Sequence, residues 1–388
     1  MIIHNCTIVT WEAENQLLTG YAVRIVDDRI DSIQPEKNLL DRYPNEETLD
    51  AHGQLLMPGL ICAHTHFYGA FSRGMNVLGE APAAFPEILT HLWWPLDRSL
   101  DEESVYYSTL VCLIDAIKHG TTTVFDHLAS PGFISGSLDT IAKGLRETGI
   151  RGSVCYEVTD RGGQEKALEG IDENLRMIRS FQANPLDSMV IPTFGLHAGL
   201  TLSSETLKLC RDQIPSGFGF HVHIAEHQSD QFDSLKKTGL RVVERLEKHG
   251  MTGKDSIFVH GVHIDAKEQQ IIADTNTWLT HQPRSNMNNA VGMAAVESFL
   301  NMGIPVCIGN DGFSFAMWDE WRACYLAHKL WTRDPRTMNG ALVTDMATRN
   351  NASMASHFFH DKIGEISPGA KADLILVEAP PFDALGLY

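Results

Sequence analysis

The pattern of apolar and polar positions changes as the chain proceeds. Residues 2–10 and 21–33 alternate apolar and polar side chains and include β-branched residues, which predicts short strands joined by a polar turn. The segment 35–47 is charged and rich in turn-forming residues. From Leu55 onward the pattern becomes a repeated unit, in which a short apolar run is followed by a loop and a helical segment. Such runs are typical of strands buried on both faces of a parallel sheet.

Eight of these apolar runs precede residue 312, and they define the predicted fold. They are the segments 55–66, 121–127, 152–158, 189–197, 219–226, 256–263, 277–283 and 305–311. Helical segments separate them, for example 102–119, 137–149 and 203–211. Strand and helix alternate over about 250 residues, which favours a closed (β/α)8 TIM barrel over an open doubly wound sheet. The predicted fold class is therefore α/β.

Strand-like segments also lie outside the barrel. Residues 371–378 predict another strand, preceded by the turn Ser367-Pro368-Gly369. Strand-rich pieces at both ends predict a small β-sandwich domain formed from the N- and C-terminal segments. The predicted divisions are 1–54 and 361–388 for the two parts of this sandwich, and 55–360 for the barrel. Little sequence remains to cover the edge of the last strand, so we expect the C-terminal part to be incomplete.

Composition and charge exclude several classes of protein. The 388 residues are 43% hydrophobic and 21% charged, as in globular proteins. The formal net charge of −18 and the lack of a basic cluster argue against a nucleic-acid or anionic-membrane partner. No apolar run is long enough to predict a membrane span. The seven cysteines are scattered and never spaced as C-x-x-C, which predicts free thiols in a reducing compartment, the cytoplasm.

Polar side chains fall at the C-terminal ends of four predicted strands. They are His64 and His66, His223 and Glu226, His260 and His263, and Asn310 and Asp311. Catalytic groups of a TIM barrel lie at these ends. One such histidine or aspartate is usually structural, but four such ends in one barrel predict a shared site. Imidazole and carboxylate ligands that leave an open position are typical of a catalytic metal centre.

The same segments resemble a known family. PGLICAHTH, HVHIAE, FVHGVH and GNDG resemble the metal-dependent amidohydrolase superfamily, in its mononuclear aminohydrolase (deaminase) branch. The resemblance covers nearly the whole chain, and HTHFYGAFSRGM, WWPLDRSL and CYEVTDRGG are similar to the SsnA-type aminohydrolases of that branch. Members of this superfamily often pair through their barrel helices, which implies a homodimer or a higher homo-oligomer.

The resemblance assigns roles to individual residues. It implies four metal ligands, His64, His66, His223 and Asp311. It also implies that Glu226 carries protons, and that His260 and Asp311 help to activate a water molecule. The fourth strand ends at His197 without the lysine that bridges two ions in binuclear members. One divalent metal is therefore expected, zinc first and iron as an alternative.

These roles predict a deamination. A hydroxide made available by the metal would attack a ring carbon that bears an amino group, while Glu226 protonates the adjacent ring nitrogen and ammonia leaves. The expected substrate is a small amino-substituted nitrogen heterocycle, purine-like or pterin-like. Two alternatives stay open: hydrolysis of a cyclic amide, ureide or triazine-type C–N or C–Cl bond, and a non-catalytic metal-binding protein.

Candidate substrate contacts follow from position in the chain. His197 lies where many deaminases of this family place a substrate-contacting histidine, although a purely structural role is as compatible with the sequence. Trp93 and Trp94 could stack on a planar heterocycle or simply pack between helix and barrel. Arg161 lies in a segment that resembles a mobile loop, where it could meet a substrate carboxylate or carbonyl or remain solvated.

Overall fold

The computed structural model describes residues 1–75, 79–184 and 189–378. Its strands are β1 Ile2–His4, β2 Thr7–Val9, β3 Leu17–Thr19, β4 Tyr21–Val26, β5 Arg29–Pro35, β6 Thr48–Asp50, β7 Leu55–Pro58, β8 Leu60–Thr65, β9 Thr121–Asp126, β10 Arg151–Val154, β11 Val190–Pro192, β12 Phe194–Ala198, β13 Phe220–Ile224, β14 Ile257–His260, β15 Trp278–His281, β16 Val306–Ile308 and β17 Leu374–Val377.

The α-helices cover the outside of these strands. They are α1 Glu36–Arg42, α2 Phe85–Ile88, α3 Trp94–Ser99, α4 Glu102–Lys118, α5 Ser137–Thr148, α6 Gln164–Ala183, α7 Ser204–Gln213, α8 Gln228–Thr238, α9 Val242–Lys248, α10 Ala266–Thr275, α11 Pro283–Asn288, α12 Val296–Asn301, α13 Met317–Thr332, α14 Gly340–Asp345 and α15 Asn351–Phe359. A π-helical turn, Leu89–Trp93, joins α2 to α3, and a second, Met346–Asn350, joins α14 to α15. Among the described residues, no helix is both long and apolar enough to cross a membrane.

The parallel strands close into a ring. Strands β11, β10, β9 and β8 pair in that order, and β12 to β16 pair in sequence. Bridges between Val158 and Leu196 and between Thr65 and Asp311 join the two runs. Strands β11 and β12 are the two halves of one predicted strand, so eight strands surround the axis. The predicted (β/α)8 barrel is confirmed.

The apolar core has two parts because neighbouring residues of a strand point to opposite faces. Leu60, Val124 and Phe220 belong to a large buried cluster that includes helix residues such as Leu113 and Ile141. The alternate residues Ile61, Phe125 and Ile257 form a smaller buried cluster with Met354 and Phe359 of α15. Helices therefore cover the outside of the barrel, while α15 packs against the residues of the opposite strand face.

The segment 55–66, predicted as one strand, is two. Strand β7 leaves the barrel and pairs with β17 and β2 in a four-stranded sheet of order β17-β7-β2-β3. Gly59 separates β7 from β8, and a Cβ atom at this position would lie 2.1 Å from Thr122 Oγ1. The sequence hides this break because both strands are buried and apolar.

The N-terminal segment also differs in detail from its prediction. Residues 2–10 form β1 and β2, which lie in different sheets, and Asn5 between them has a left-handed φ of 54°. Strand β1 belongs to the sheet β5-β4-β1-β6. The segment 35–47, predicted to be turn-rich, contains helix α1. Residues 379–388 lie outside the described residues.

Candidate metal centre and active-site cavity

The last barrel strand is held close against the first at the C-terminal end of the barrel. A Cβ atom on Gly309 would lie 2.7 Å from the backbone N and O atoms of His64, so only glycine permits this approach. The backbone N–H of Asp311 donates to the His64 carbonyl at 3.1 Å, and the Asp311 carbonyl accepts from the His66 N–H at 2.7 Å. Asp311 itself has a left-handed φ of 60°. This backbone contact carries its side chain to the residues that follow β8.

Four predicted ligands meet at this point. Asp311 Oδ1 lies 3.3 Å from His64 Nε2 and 3.1 Å from His66 Nε2. His66 Nε2 lies 3.1 Å from His223 Nε2. One ligand atom from each of the four residues lies within 4.8 Å of the others. His64 Nε2 is buried and has no hydrogen-bond partner among the described residues. This is the state expected of a nitrogen atom that binds a cation.

Each histidine is oriented through its other ring nitrogen. His66 Nδ1 donates to the carbonyl of His127 at 2.6 Å, and His223 Nδ1 donates to the carbonyl of His197 at 2.8 Å. His64 Nδ1 contacts His221 Nε2 at 2.9 Å. Since a carbonyl can only accept, the neutral ring of His66 and that of His223 each direct an Nε2 lone pair at the shared point. Such supporting contacts are typical of metal-binding histidines, and the donor set therefore fits a divalent metal.

The electrostatics of the cluster also suit a cation. Burial lowers the pKa of His64 well below its usual value and that of His223 to about 3, so both rings are neutral. Burial also disfavours charge on His66, but the contact with Asp311 outweighs it and raises the pKa of His66 to about 9. Burial alone would raise the pKa of Asp311, yet its bonds with His64 and His66 hold it well below its usual value. A bound cation would displace the proton of His66.

Glu226 and His260 lie beside the cluster. His260, at the end of β14, has a left-handed φ of 71°, and its Nε2 lies 3.5 Å from Glu226 Oε2. Burial, together with the nearby charge of Asp311, raises the pKa of Glu226 well above its usual value. Its surroundings therefore favour the protonated form of the Glu226 carboxyl.

The segment around α11 supports these groups. Asn286 Oδ1 accepts from His260 Nδ1 at 2.9 Å, and Asn289 Nδ2 donates to Glu226 Oε1 at 3.3 Å. Ser285 Oγ donates to Asp311 Oδ2. Helix α11 and the residue that follows it, Asn289, thus contact three of the predicted site residues.

A cavity of about 830 Å³ opens onto the cluster. All four candidate substrate contacts line it: His197, Trp93, Trp94 and Arg161. The two tryptophans lie where the π-helical turn Leu89–Trp93 meets α3. Such turns are frequent at functional sites.

Arg161 differs from its prediction as a mobile loop cation. Its side chain is only 9% exposed, and Nη2 donates to Asp97 Oδ2 at 2.8 Å. The guanidinium carbon lies 4.9 Å from the centre of the Trp94 ring. Arg161 Nη1 and Asp97 Oδ1 are buried without hydrogen-bond partners. The pair therefore retains one free donor and one free acceptor within the wall of the cavity.

Sequence reasoning missed four acidic residues that line the cavity: Asp97, Asp115, Glu157 and Asp230. Glu157 lies at the C-terminal end of the third predicted strand, the same signal that identified His64 and Asp311, and it could have been found in that way. Asp97 lies within the short helix α3 and has no local signal, because only the folded chain brings it to Arg161. Burial raises the pKa of Glu157 to about 7.

Comparison with known proteins agrees with this geometry. A model of the amidohydrolase family matches residues 55–386. A 5-methylthioadenosine/S-adenosylhomocysteine deaminase of Acetivibrio thermocellus is 30% identical over 97% of this chain and 85% of its own length. A 5'-deoxyadenosine deaminase of Methanobrevibacter smithii is 30% identical over 91% of this chain and 79% of its own length.

Solved structures share the fold. An adenosine deaminase from Xanthomonas campestris, solved with bound zinc, superposes with a TM-score of 0.86 and 22% identity. The superposition covers 100% of this chain and 86% of that structure. At this identity the likeness shows the fold.

Proposed function

The chain belongs to the amidohydrolase family, and we propose on that premise that it removes ammonia from a purine-like or pterin-like heterocycle. It is a hydrolase of carbon–nitrogen bonds, an aminohydrolase acting on a nitrogen heterocycle, as its deaminase relatives are. The observation that carries the proposal is the convergence of His64, His66, His223 and Asp311 in one cavity, beside the buried carboxyl group of Glu226.

The four convergent residues would hold a divalent metal, and we propose one zinc ion. When bound, the metal supplies a water molecule that is deprotonated near neutral pH. His260 donates from Nδ1 to Asn286, which leaves its Nε2 lone pair free to accept a proton of that water. Asp311, whose pKa stays low, provides a second acceptor.

Glu226 would supply the proton that the ring nitrogen needs. Burial and the charge of Asp311 raise the pKa of its carboxyl well above the usual value, and the carboxyl lies next to His260 in the cavity. A ring nitrogen of the substrate would take this proton, which makes the adjacent amino-bearing carbon electrophilic. The proton that Glu226 then regains from water can pass to the departing amine. Trp93 and Trp94 are proposed to contact the planar ring, with His197 and Arg161 as polar contacts.

Ammonia release tests this assignment. Metal-loaded protein is expected to release ammonia from at least one member of a panel of purines, 5'-modified adenosines and pterins. Glu226→Gln should retain metal but lose turnover by about 100-fold or more, because glutamine cannot donate the proton. Near-normal turnover of Glu226→Gln would refute the role given to Glu226, and ring opening or halide release without ammonia would favour the alternative hydrolase.

The terminal segments are proposed to form a small β-sandwich domain. Ile3 and Val23 from one sheet share a buried cluster with Ile8 and Leu56 from the other, which supports a common core. Ile366 and Ala370 from the C-terminal segment join the same cluster. Because β7 belongs to this region, the domain boundary is better set at Gly59 than at residue 54.

Assembly and location are proposed from two further features. Helix α4 exposes Tyr107, Val111, Ile114 and Ile117, an apolar stripe that would suit pairing in a homodimer or higher homo-oligomer. The seven cysteines are all free and most are buried, which supports the cytoplasm as the compartment.

A further inference from the structure

The Glu157 carboxyl group is buried in the cavity wall and makes no hydrogen bond to any other residue that the structure describes. Glu157 is 3% exposed and lines the same cavity as His223. Three imidazole nitrogens surround Oε1: His127 Nδ1 at 3.6 Å, His223 Nδ1 at 3.6 Å and His197 Nε2 at 3.7 Å. All three distances exceed the range of a hydrogen bond.

None of these nitrogens has a proton to offer Glu157. His127 Nε2 donates to the carbonyl of His221 at 2.9 Å, which leaves a lone pair on His127 Nδ1. His127 Nδ1 is buried and has no hydrogen-bond partner. His223 Nδ1 already donates a hydrogen bond of 2.8 Å to the carbonyl of His197.

The third nitrogen, on His197, is also an acceptor. The hydroxyl of Thr201 donates to the Ala198 carbonyl at 3.2 Å. Thr201 Oγ1 can then accept from His197 Nδ1, 2.6 Å away, and both contacts are satisfied together. His197 therefore presents a lone pair on Nε2 toward the cavity.

An ionised Glu157 carboxylate among these lone pairs would be stabilised by an N–H or O–H donor that enters the cavity, since an unpaired buried polar group is costly. From this arrangement we propose that Glu157 and His197 form a specificity pair that selects substrates presenting an N–H or O–H donor to this wall of the cavity. The inference rests on the proposed deamination. It adds the requirement that the substrate carries such a donor, which deamination alone does not impose. The donor would be either an amino group on the heterocycle or a hydroxyl of an attached ribose.

Two pairs of substrates distinguish these sources of the donor. Adenine and 2,6-diaminopurine differ by one ring amino group, while 2'-deoxyadenosine and adenosine differ by one ribose hydroxyl. The wild-type protein is expected to favour the donor-bearing member of one pair by about tenfold or more in kcat/KM, because a buried acceptor penalises its absence. Equal kcat/KM within both pairs would overturn the proposal.

Graded variants assign the preference to Glu157. Glu157→Gln keeps an acceptor oxygen and should reduce the preference in part, whereas Glu157→Met has no such acceptor and should abolish it. Glu173→Gln is the control, because Glu173 is an equally buried carboxylate that accepts from the backbone of Gly136 and Leu138 outside the cavity. An unchanged preference in Glu157→Met, or loss of metal as its only effect, would overturn the proposal.

Binding without turnover separates this inference from the proposed function. Purine and 2-aminopurine differ by one amino group, while 9-methylpurine and purine riboside differ in carrying a methyl group or a ribose on N9. The affinity of all four can be measured by calorimetry. If no heterocycle yields ammonia, the deamination fails, but a preference for the donor-bearing ligand that Glu157→Met removes would still support the specificity pair. Equal affinities within both pairs in the wild type and in Glu157→Met would overturn it.

Discussion

His260 depends on a single neighbour for its protonation pattern. Its Nδ1 proton is held by Asn286 Oδ1, so the lone pair remains on Nε2 beside Glu226. The Asn286 side chain is fully buried and follows the predicted strand 277–283. Its role is thus to position His260 rather than to take part in the chemistry.

We expect Asn286→Ala to lower kcat by about 10- to 100-fold while metal content stays near one equivalent, because Asn286 orients His260 and none of the four ligands. The pH profile should also change, since the proton of His260 is then free to occupy either nitrogen. Asn301→Ala, the same change on an exposed helix end, is the control. A large loss of metal in Asn286→Ala would contradict this role.

Single site residues could be predicted from the sequence where they directly follow an apolar run typical of a strand. His64, His66, His223 and Asp311 follow apolar runs in a repeated order, and the structure brings all four together. Asp97 and Asn289 lie on irregular or short helical segments. Their roles follow only from tertiary contacts, with Arg161 and Glu226 respectively. Arg161 was predicted as a candidate substrate contact, but no sequence pattern indicates that it is buried against Asp97.

At the scale of elements, Gly309 sets the distance between the first and last barrel strands. A methyl group there would meet the backbone of His64, which cannot move aside as a flexible side chain would. We expect Gly309→Ala to weaken metal binding by at least tenfold and to lower the melting temperature. Gly340→Ala, where an added Cβ meets nothing within 4 Å, should change neither. Normal metal affinity in Gly309→Ala would show that the strands can separate without harm to the ligands.

The two terminal segments are joined by an ion pair with a pH dependence. Arg29 in β5 donates two hydrogen bonds of 2.7 Å to Asp361, which follows α15. Burial alone would raise the pKa of Asp361, but Arg29 outweighs it and lowers the pKa to about 2. A lowered pKa stabilises the folded state above the unfolded pKa, near 4, and this stabilisation is lost as pH falls toward 2.

Arg29→Ala should therefore be less stable than the wild type at pH 7 by about 1 kcal/mol. The difference in melting temperature should narrow as pH falls below about 4. Arg322→Ala, at an exposed arginine whose nearest carboxylate oxygen is 3.8 Å away, is the control. A difference in melting temperature that is constant from pH 7 to pH 3 would show that the charge of Asp361 does not matter.

Strands and helices were predicted well where one hydrophobic periodicity dominates the segment. The barrel strands and helices such as α4 appear within a few residues of their predicted bounds. The break at Gly59 could not be seen, because strands in two different sheets gave one continuous apolar run. Helix α1 was missed since its charged surface leaves only one fully buried side chain, Leu39.

At the scale of the molecule, the candidate ligands belong to distant strands of one ring. A metal bound to all four therefore stabilises the folded barrel relative to the unfolded chain. Removal of metal by chelation is expected to lower the melting temperature by several degrees, with recovery when zinc is restored. His223→Ala should shift much less on chelation, and an equal shift in both proteins would contradict the assigned ligand set.

The closed barrel was predicted because eight similar runs leave few other folds open. A β-sandwich was predicted for the terminal segments, but the assignment of each strand to one of the two sheets was not, because pairing across most of the chain's length leaves no local periodicity. The bond from Arg29 to Asp361 is one example of such a long-range contact.

The bridge between Thr65 and Asp311 has a consequence for biosynthesis. A nascent chain exposes His64 and His66 early, but the carboxylate that completes their cluster emerges only after the whole ring of strands has been translated. Until then, the polypeptide on the ribosome lacks both the seam of the ring and the fourth ligand. Metal capture should accordingly be a late, post-translational event, and truncated products of interrupted translation should remain without bound ion.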